Sequence, residues 1–461
     1  MIVLVWLASA AWQAYKPLPP GLGVQGPWRD AEEAVFFADR TFVDAAGARR
    51  SEQAIFDAAF AMIAQARRLV VLDMFLFNEF GGVALRPLSG ELTDALLARK
   101  SEVPALRIIV VTDPINTVYG GLVAAHLERL RAAGVEIVLT DLGALRASNP
   151  LWSGPWALCC GWLGNRAEGG WLPNPFGPGQ VSLRSWLALP NFRANHRKTL
   201  VVDAGDDWQA LVTSANPHDA SSAHGNVALA FRGAAALDIV ASEAAVAAFS
   251  GRESHDLPSP PPALEPHGAR LRVLTEGAIG RVLVQAIDAA QTGDDLDVAV
   301  FYLADRDVVA ALLGAQARGA VVRVLLDPNE DAFGRKKNGV PNRQVARELV
   351  AAGVAVRWCD THGEQCHAKL LLRRNAASAN LIVGSANYTR RNLDDLNLET
   401  SVELAAPTDH AAIVEATRWF EEQWNNEAGR GYSVDYERHA DDSLLRRAWY
   451  RVGEALGLST W

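Results

Sequence analysis

The sequence predicts an α/β protein built from two tandem repeats, each a mixed sheet flanked by helices, paired as a pseudo-two-fold dimer within one chain. Three observations predict it. A helical pattern through Ala54, Ile55, Ala58, Met62 and Ile63 leads into an aliphatic run, Leu69 to Phe77, and Val284 to Ala290 leads likewise into Leu296 to Leu303. Each unit then repeats a short aliphatic run closed by Asp-Pro, at Asp113-Pro114 and Asp327-Pro328, as a strand ending in a turn would. Each continues into Ala-Ala-Gly-Val, where Gly134 and Gly353 suit a helix C-cap that releases the chain into a further strand. Strands alternating with helices imply βαβ units.

The length of 461 residues fits two domains or a fused pair, and 49% hydrophobic with 21% charged residues is a globular balance. The proline-rich stretch 256–266 has no periodicity and reads as a linker. It divides the chain into an apolar N-terminal extension (1–45), a first repeat (46–255) and a second repeat (267–461) that ends in a helix. A formal charge of −9 disfavours a protein that grips long nucleic acid.

The flanking segments are less decided. Met1 to Trp12 is apolar but shorter than the ~20 residues of a spanning helix, and its first positive charge is Lys16. A membrane-dipping anchor, an atypical signal and a buried element stand side by side. The first repeat carries an insert, about 146–190, with Trp152, Trp156, Trp162, Trp171 and Trp186 among Gly and Pro. It reads either as a loop packed over the sheet or as a lid touching bilayer or acyl chains. Leu445, Trp449, Val452 and Leu456 recur at helical spacing and read first as a helix docked on the body, second as a membrane-surface helix. Adjacent Cys159 and Cys160 are not expected to pair. Cys359, His362 and Cys366 lack the further ligands of a zinc site, so small buried or loop residues are the plain reading.

The chemistry lies in a doubled pattern. The first half has Asn195-His196-Arg197-Lys198, with Asp203 five residues on, then Ser214-Ala215-Asn216. The second has Cys366-His367-Ala368-Lys369, with Arg374 at the matching place, then Ser385-Ala386-Asn387. Residues i and i+2 of a strand share a face, so each His projects with its Lys. Two lysines with the Ser and Asn donors suit a phosphodiester anion and its five-coordinate transition state. One imidazole attacks phosphorus while the other, protonated, serves the leaving oxygen, a division that calls for no metal or other cofactor.

The doubled motif resembles the phospholipase D superfamily, and the stretch Gly384 to Glu399 is similar to bacterial cardiolipin synthases and related phospholipase D-like proteins. The resemblance implies a phospholipid substrate, hydrolysis or transphosphatidylation through a phosphohistidine, and no obligate protein partner. It also implies His196 as nucleophile, His367 as general acid and base, and Glu399 as the residue orienting a histidine. Asn226, or else Asp219, stands near the equivalent place in the first half. Asp203 is mainly structural in the family, and Arg374 implies a different ion pair. A membrane surface as partner, and a place at a bacterial inner membrane or its periplasmic face, go with this reading, with the cytoplasm left open. A metal-independent nuclease of the same superfamily and a catalytically silent membrane scaffold are the alternatives. His218 and His224 read first as solvated loop residues and second as ligand contacts; Arg390 and Arg391 follow the second turn, and the run Arg335-Lys336-Lys337 reads first as a solvated loop and second as a group steering an anionic substrate or lipid surface.

Overall fold

The computed structural model describes residues 1–461 except 32, 83–84, 253–255, 264, 266, 333–334 and 457–461; the side chains of 331–332, 335 and 456 are also outside that set. Among the described residues two large mixed sheets dominate. The first runs Arg49–Glu52, Val35–Val43, Asn226–Arg232, Asp207–Thr213, Lys198–Ala204, Leu69–Met74, Arg107–Thr112, Glu136–Leu139. The second runs Arg29–Asp30, Arg270–Thr275, Thr400–Pro407, Ser378–Gly384, Lys369–Arg374, Asp295–Val300, Val321–Leu326, Ala355–Cys359, Ser433–Asp435.

Eight positions of the two sheets correspond in order, and Ser433–Asp435 adds a ninth strand to the second. In each sheet three strands pair in parallel, Leu69–Met74 with its two successors and Asp295–Val300 with its two. The other pairings are antiparallel, including those of the two strands that carry the lysines. Gly134 and Gly353, with φ of 82° and 86°, occupy the left-handed conformation that a helix C-cap requires.

Inner faces of the two sheets share one apolar core, in which Val201, Val212 and Leu229 meet Leu370, Leu381 and Leu404. A separate core fills the outer, helix-covered face of each sheet. Alternating side chains of each central strand therefore face two different cores. That explains why the strands read as continuous aliphatic runs rather than as an alternation.

The aliphatic runs leave the ladder earlier than their hydrophobicity suggests, at Met74 and Val300. Beyond those points the Phe75 N–H donates to Arg197 O at 3.1 Å, and the Phe301 N–H to Ala368 O at 3.1 Å. Phe75 and Phe301 are thereby turned toward the motif histidines.

Stretch 1–45 is not simply an extension. Val35–Val43 pairs with Asn226–Arg232 inside the first sheet, and Arg29–Asp30 pairs with Arg270 and Leu271 in the second. Asp39 and Arg40 broke the apolar pattern that would have marked the strand. Asp39 is buried and accepts the N–H groups of Ala54 and Ile55 at the start of helix Ile55–Gln65. Only Ile2–Tyr15 stands apart, as a helix whose apolar side chains are largely exposed. No described helix is long and apolar enough to cross a membrane.

The insert is more ordered than a loop: it holds helix Pro150–Cys159, a two-strand hairpin and helix Leu183–Ala188. Against expectation, Cys159 and Cys160 are joined, with an S–S distance of 2.01 Å. Cys359 and Cys366 are also joined, which removes both thiols from any zinc set. The C-terminal helix, Leu444–Leu456, docks through Tyr450, whose Oη donates to Ala304 O at 2.8 Å. Leu445, Trp449 and Val452, expected to form the docking stripe, face outward instead. Of the linker, 264 and 266 lie outside the described residues, and the described part has no regular element.

Candidate active site

Each motif histidine sits just before a strand, at a point where two backbones cross between the halves. The His196 N–H donates to Leu398 O at 2.9 Å, and the His367 N–H to Gly225 O at 2.7 Å. The residue after each acceptor is the histidine's own partner. Glu399 Oε1 lies 2.8 Å from His196 Nδ1, and Asn226 Oδ1 lies 3.1 Å from His367 Nδ1. Asn226 is oriented by its other end, where Nδ2 donates to His224 O at 3.1 Å, so the oxygen faces the imidazole. With Nδ1 engaged, each ring is left to present Nε2 to the site.

The Asp-Pro turns complete the frame. Asp113 Oδ2 accepts the Asn195 N–H at 2.7 Å, and Asp327 Oδ2 accepts the Cys366 N–H at 2.8 Å. Each aspartate thus grips the residue before its histidine. Burial raises both carboxyls to about 7, against the backbone donors and the lysines that favour their charged forms.

Both histidines line one cavity of about 220 Å³, with Asn216, Asn387, His224, Phe301, Tyr302 and Arg391 among its walls. His196 lies 4.8 Å, ring to ring, from Phe75, and His367 lies 5.2 Å from Phe301. The lysines are buried beneath: Lys198 Nζ donates to His196 O and Lys369 Nζ to His367 O, each at 2.7 Å. Each ammonium also lies over the facing phenylalanine, at 5.2 and 5.3 Å from the ring centres.

Burial lowers His196 to about 4 even though the Glu399 carboxylate works the other way. His367 is pushed well below its ordinary value by burial, then by Lys369, His224, Lys198 and His196. Burial likewise brings Lys198 to about 7 and pushes Lys369 far down, the second further depressed by the first. An anion entering the cavity would reverse these shifts by offering the negative charge the groups lack.

The candidate residues divide by position. Asn216 and Asn387 line the cavity, as expected of phosphate donors. Ser214 and Ser385 do not: they are buried behind the partners, with Ser214 Oγ donating to Asn226 Oδ1 at 3.1 Å and Ser385 Oγ to Glu399. Their hydroxyls fix the partners and are not among the cavity's lining groups. Asp203 lies outside any phosphate-binding set, at the far end of its strand, where it accepts the N–H groups of Arg67, Arg68 and Leu69. Arg374 instead donates to Asp297 at 2.8 Å. Asp219 accepts the Ser89 N–H and stands apart from His367, which leaves Asn226 as the counterpart of Glu399.

His218 and His224, expected first in solvent, are both buried. His218 bonds to Ser221 Oγ and Phe80 O, while His224 lines the cavity 5.8 Å from the His367 ring. Arg391 and Lys337 also line the cavity, and Lys337 bonds to Tyr302 Oη; the Arg335 side chain is outside the described residues. Arg197, between His196 and Lys198, is buried against Glu276 at 2.7 Å and Glu243 at 3.3 Å. Among the described residues no three His, Cys, Asp or Glu side chains converge as a metal site.

Two repeats that exchange a histidine partner across their interface, over one cavity, define a class of two-repeat α/β proteins with a single composite site. The second repeat carries a phospholipase D-like domain. A family model described as cardiolipin synthase, PLD-like domain, matches residues 283–424. Among solved structures the chain is similar to phosphatidylserine synthase of Haemophilus influenzae Rd KW20 (TM-score 0.57, 11% identity, 94% of this chain and 96% of that one). Weaker likenesses include polyphosphate kinase from Porphyromonas gingivalis (TM-score 0.47, 14% identity, 93% and 54%). Another is the phospholipase D family member Nuc from Salmonella typhimurium (TM-score 0.28, 20% identity, 36% and 98%). Comparison with curated proteins gives no match.

Proposed function

We propose that the chain cleaves or transfers a phospholipid phosphodiester through a phosphohistidine intermediate. The observation that carries this reading is the pair of histidines on one cavity, each with its Nδ1 held by the opposite half. In this mechanism the Nε2 lone pair of His196 attacks phosphorus. The bond to the leaving oxygen breaks, and that oxygen takes the Nε2 proton of His367. Glu399 offsets the positive charge that the new N–P bond places on the His196 ring. His367, now neutral, accepts a proton from water or an alcohol as its oxygen attacks phosphorus. The N–P bond then breaks and the free enzyme returns.

Lys198 and Lys369 hold positive charge beneath the phosphoryl oxygens, and Asn216 and Asn387 supply amide donors beside them. A lipid phosphodiester is supported by the cardiolipin synthase-type family match, the fold shared with a phosphatidylserine synthase and the net charge of −9. The two disulfides support work in an oxidising compartment, at the outer face of a membrane.

Product analysis on mixed phospholipid vesicles, with and without glycerol, tests the reading. Phosphatidic acid is expected without glycerol and phosphatidylglycerol with it, and both are expected to vanish in His196→Ala. Absence of product from any phospholipid, or product unchanged in His196→Ala, would overturn it.

A further inference from the structure

The N-terminal helix and the insert helix pack on each other and leave a broad uncharged surface. Ala10 sits against Gly154 so closely that a Cβ there would lie 2.8 Å from the Ala10 nitrogen. Ser9 Oγ donates to Gly154 O and Trp6 Nε1 to Leu151 O, each at 2.9 Å. Neither 2–15 nor 150–164 contains a charged side chain. Outward from this pair stand Leu4 (71% exposed), Trp12 (60%), Leu158 (51%) and Trp162 (73%). A surface of that kind on a soluble face is not explained by folding, because it gains nothing from burial there.

Its position ties it to the catalytic rim. Asn149 Nδ2 donates to Pro190 O, Trp152 Nε1 to Leu187 O, and Ser153 Oγ to Asn191 Oδ1, so the insert helix rides on the segment that leads to His196. Phe192, next in that segment, lies under the cavity-lining Arg391 at 4.9 Å. The C-terminal helix reaches the same rim, its Glu454 accepting the Arg390 N–H at 2.9 Å. That helix faces outward with Leu445, Trp449 and Val452, among Arg446, Arg447 and Arg451. Two outward apolar faces thus abut one cavity mouth, and the second is flanked by arginines, of which Arg446 pairs with Asp441 and Arg451 with Glu348, each at 2.9 Å.

We infer that the N-terminal and insert helices form a membrane-docking face that inserts apolar and Trp side chains into one leaflet and sets the cavity mouth against the lipid headgroups. The 14-residue helix, about 21 Å at 1.5 Å per residue, lies along the interface with its exposed apolar side chains in the leaflet. Trp12 and Trp162 take the headgroup depth that indole rings favour. A second copy of the chain is the rival occupant, but it would cover a surface attached to the substrate entrance. The lipid leaflet supplies that entrance. This inference rests on the lipid reading of the site for its purpose, though not for its geometry.

The test is co-sedimentation of the full chain with phosphatidylethanolamine/phosphatidylglycerol vesicles in 0.5 M NaCl. It is run beside turnover of bis(p-nitrophenyl) phosphate, a soluble phosphodiester, for wild type and for Trp12→Glu/Trp162→Glu. Wild type is expected to bind vesicles in high salt, because the inserting face carries no charge. The variant is expected to lose at least tenfold in binding while keeping soluble turnover within about twofold. Equal binding by the two proteins, binding abolished by salt, or a lipid-free dimer that the double substitution breaks would each overturn the inference. Vesicle binding without action on any phospholipid would leave the docking face standing and remove the lipid activity. Action on dispersed phospholipid without vesicle binding would do the reverse.

Discussion

The two halves of the site share a backbone plan and differ in one atom type at its centre. His196 has a carboxylate, Glu399, on its Nδ1; His367 has an amide, Asn226. Around them the turn aspartates, the buried lysines and the phenylalanine shelves match within a few tenths of an ångström. Duplication therefore built a symmetric frame in which charge is unequal. Glu399 can balance a ring that becomes and stays cationic, as a phosphorylated imidazole does. Asn226 orients His367 without stabilising its cation, so the His367 proton is held loosely and given up readily.

Removing the rings breaks the comparison outright. His196→Ala is expected to lower kcat by at least about 10⁴-fold for every substrate. His367→Ala is expected to slow the first, phosphoenzyme-forming step about 10²–10⁴-fold on a lipid and much less on a p-nitrophenyl ester, whose leaving oxygen needs no proton, while the second step slows on both. Equal first-step losses on both substrates would remove the acid role from His367. Stopped-flow rates on the two esters decide it.

Changing the partners sharpens it. Glu399→Gln makes the halves alike and is expected to cost about 10²-fold in kcat, the loss of one charge from a buried cation. Because Glu399 raises His196, its removal lowers that group further. The rising limb of the kcat/KM profile, which needs neutral His196, should move to lower pH. Asn226→Asp makes them alike in the other direction. The falling limb, which needs protonated His367, should move up by about 1–2 pH units. A profile that is unmoved in both variants would show that these histidines do not set it.

The smallest effect on chemistry belongs to the strand ends. Asp203→Ala strips an acceptor from three backbone N–H groups and is expected to cost about 1–3 kcal/mol of stability with kcat unchanged. Arg374, at the matching place, pairs with Asp297. Arg374→Ala should therefore also lower Tm and spare kcat, as thermal melts beside activity will show.

The repeat, its parallel strands and the turn aspartates were legible because each rests on a local rule: aliphatic runs, Asp-Pro turns and a C-cap glycine recur at matched places. The His-x-Lys pairs were legible as i, i+2 positions on a strand. The burial of Ser214, Ser385 and His224 was not, since it depends on how the second sheet closes over the first. Ser-x-Asn read as two donors toward one anion, whereas the fold points the Asn inward and the Ser back at Asn226 or Glu399. Val35–Val43 escaped because Asp39 is spent on a helix start and not on solvent. The C-terminal stripe was legible as a helix, but Tyr450 and not the stripe holds it to the body.

Intact-mass analysis of His367→Ala, quenched in alkali during turnover of a p-nitrophenyl phosphodiester, tests the unequal division of labour most directly. One covalent phosphoryl adduct is expected, mapped to His196 and absent from His196→Ala. An adduct mapped to any other residue, or continued turnover with no adduct, would contradict it.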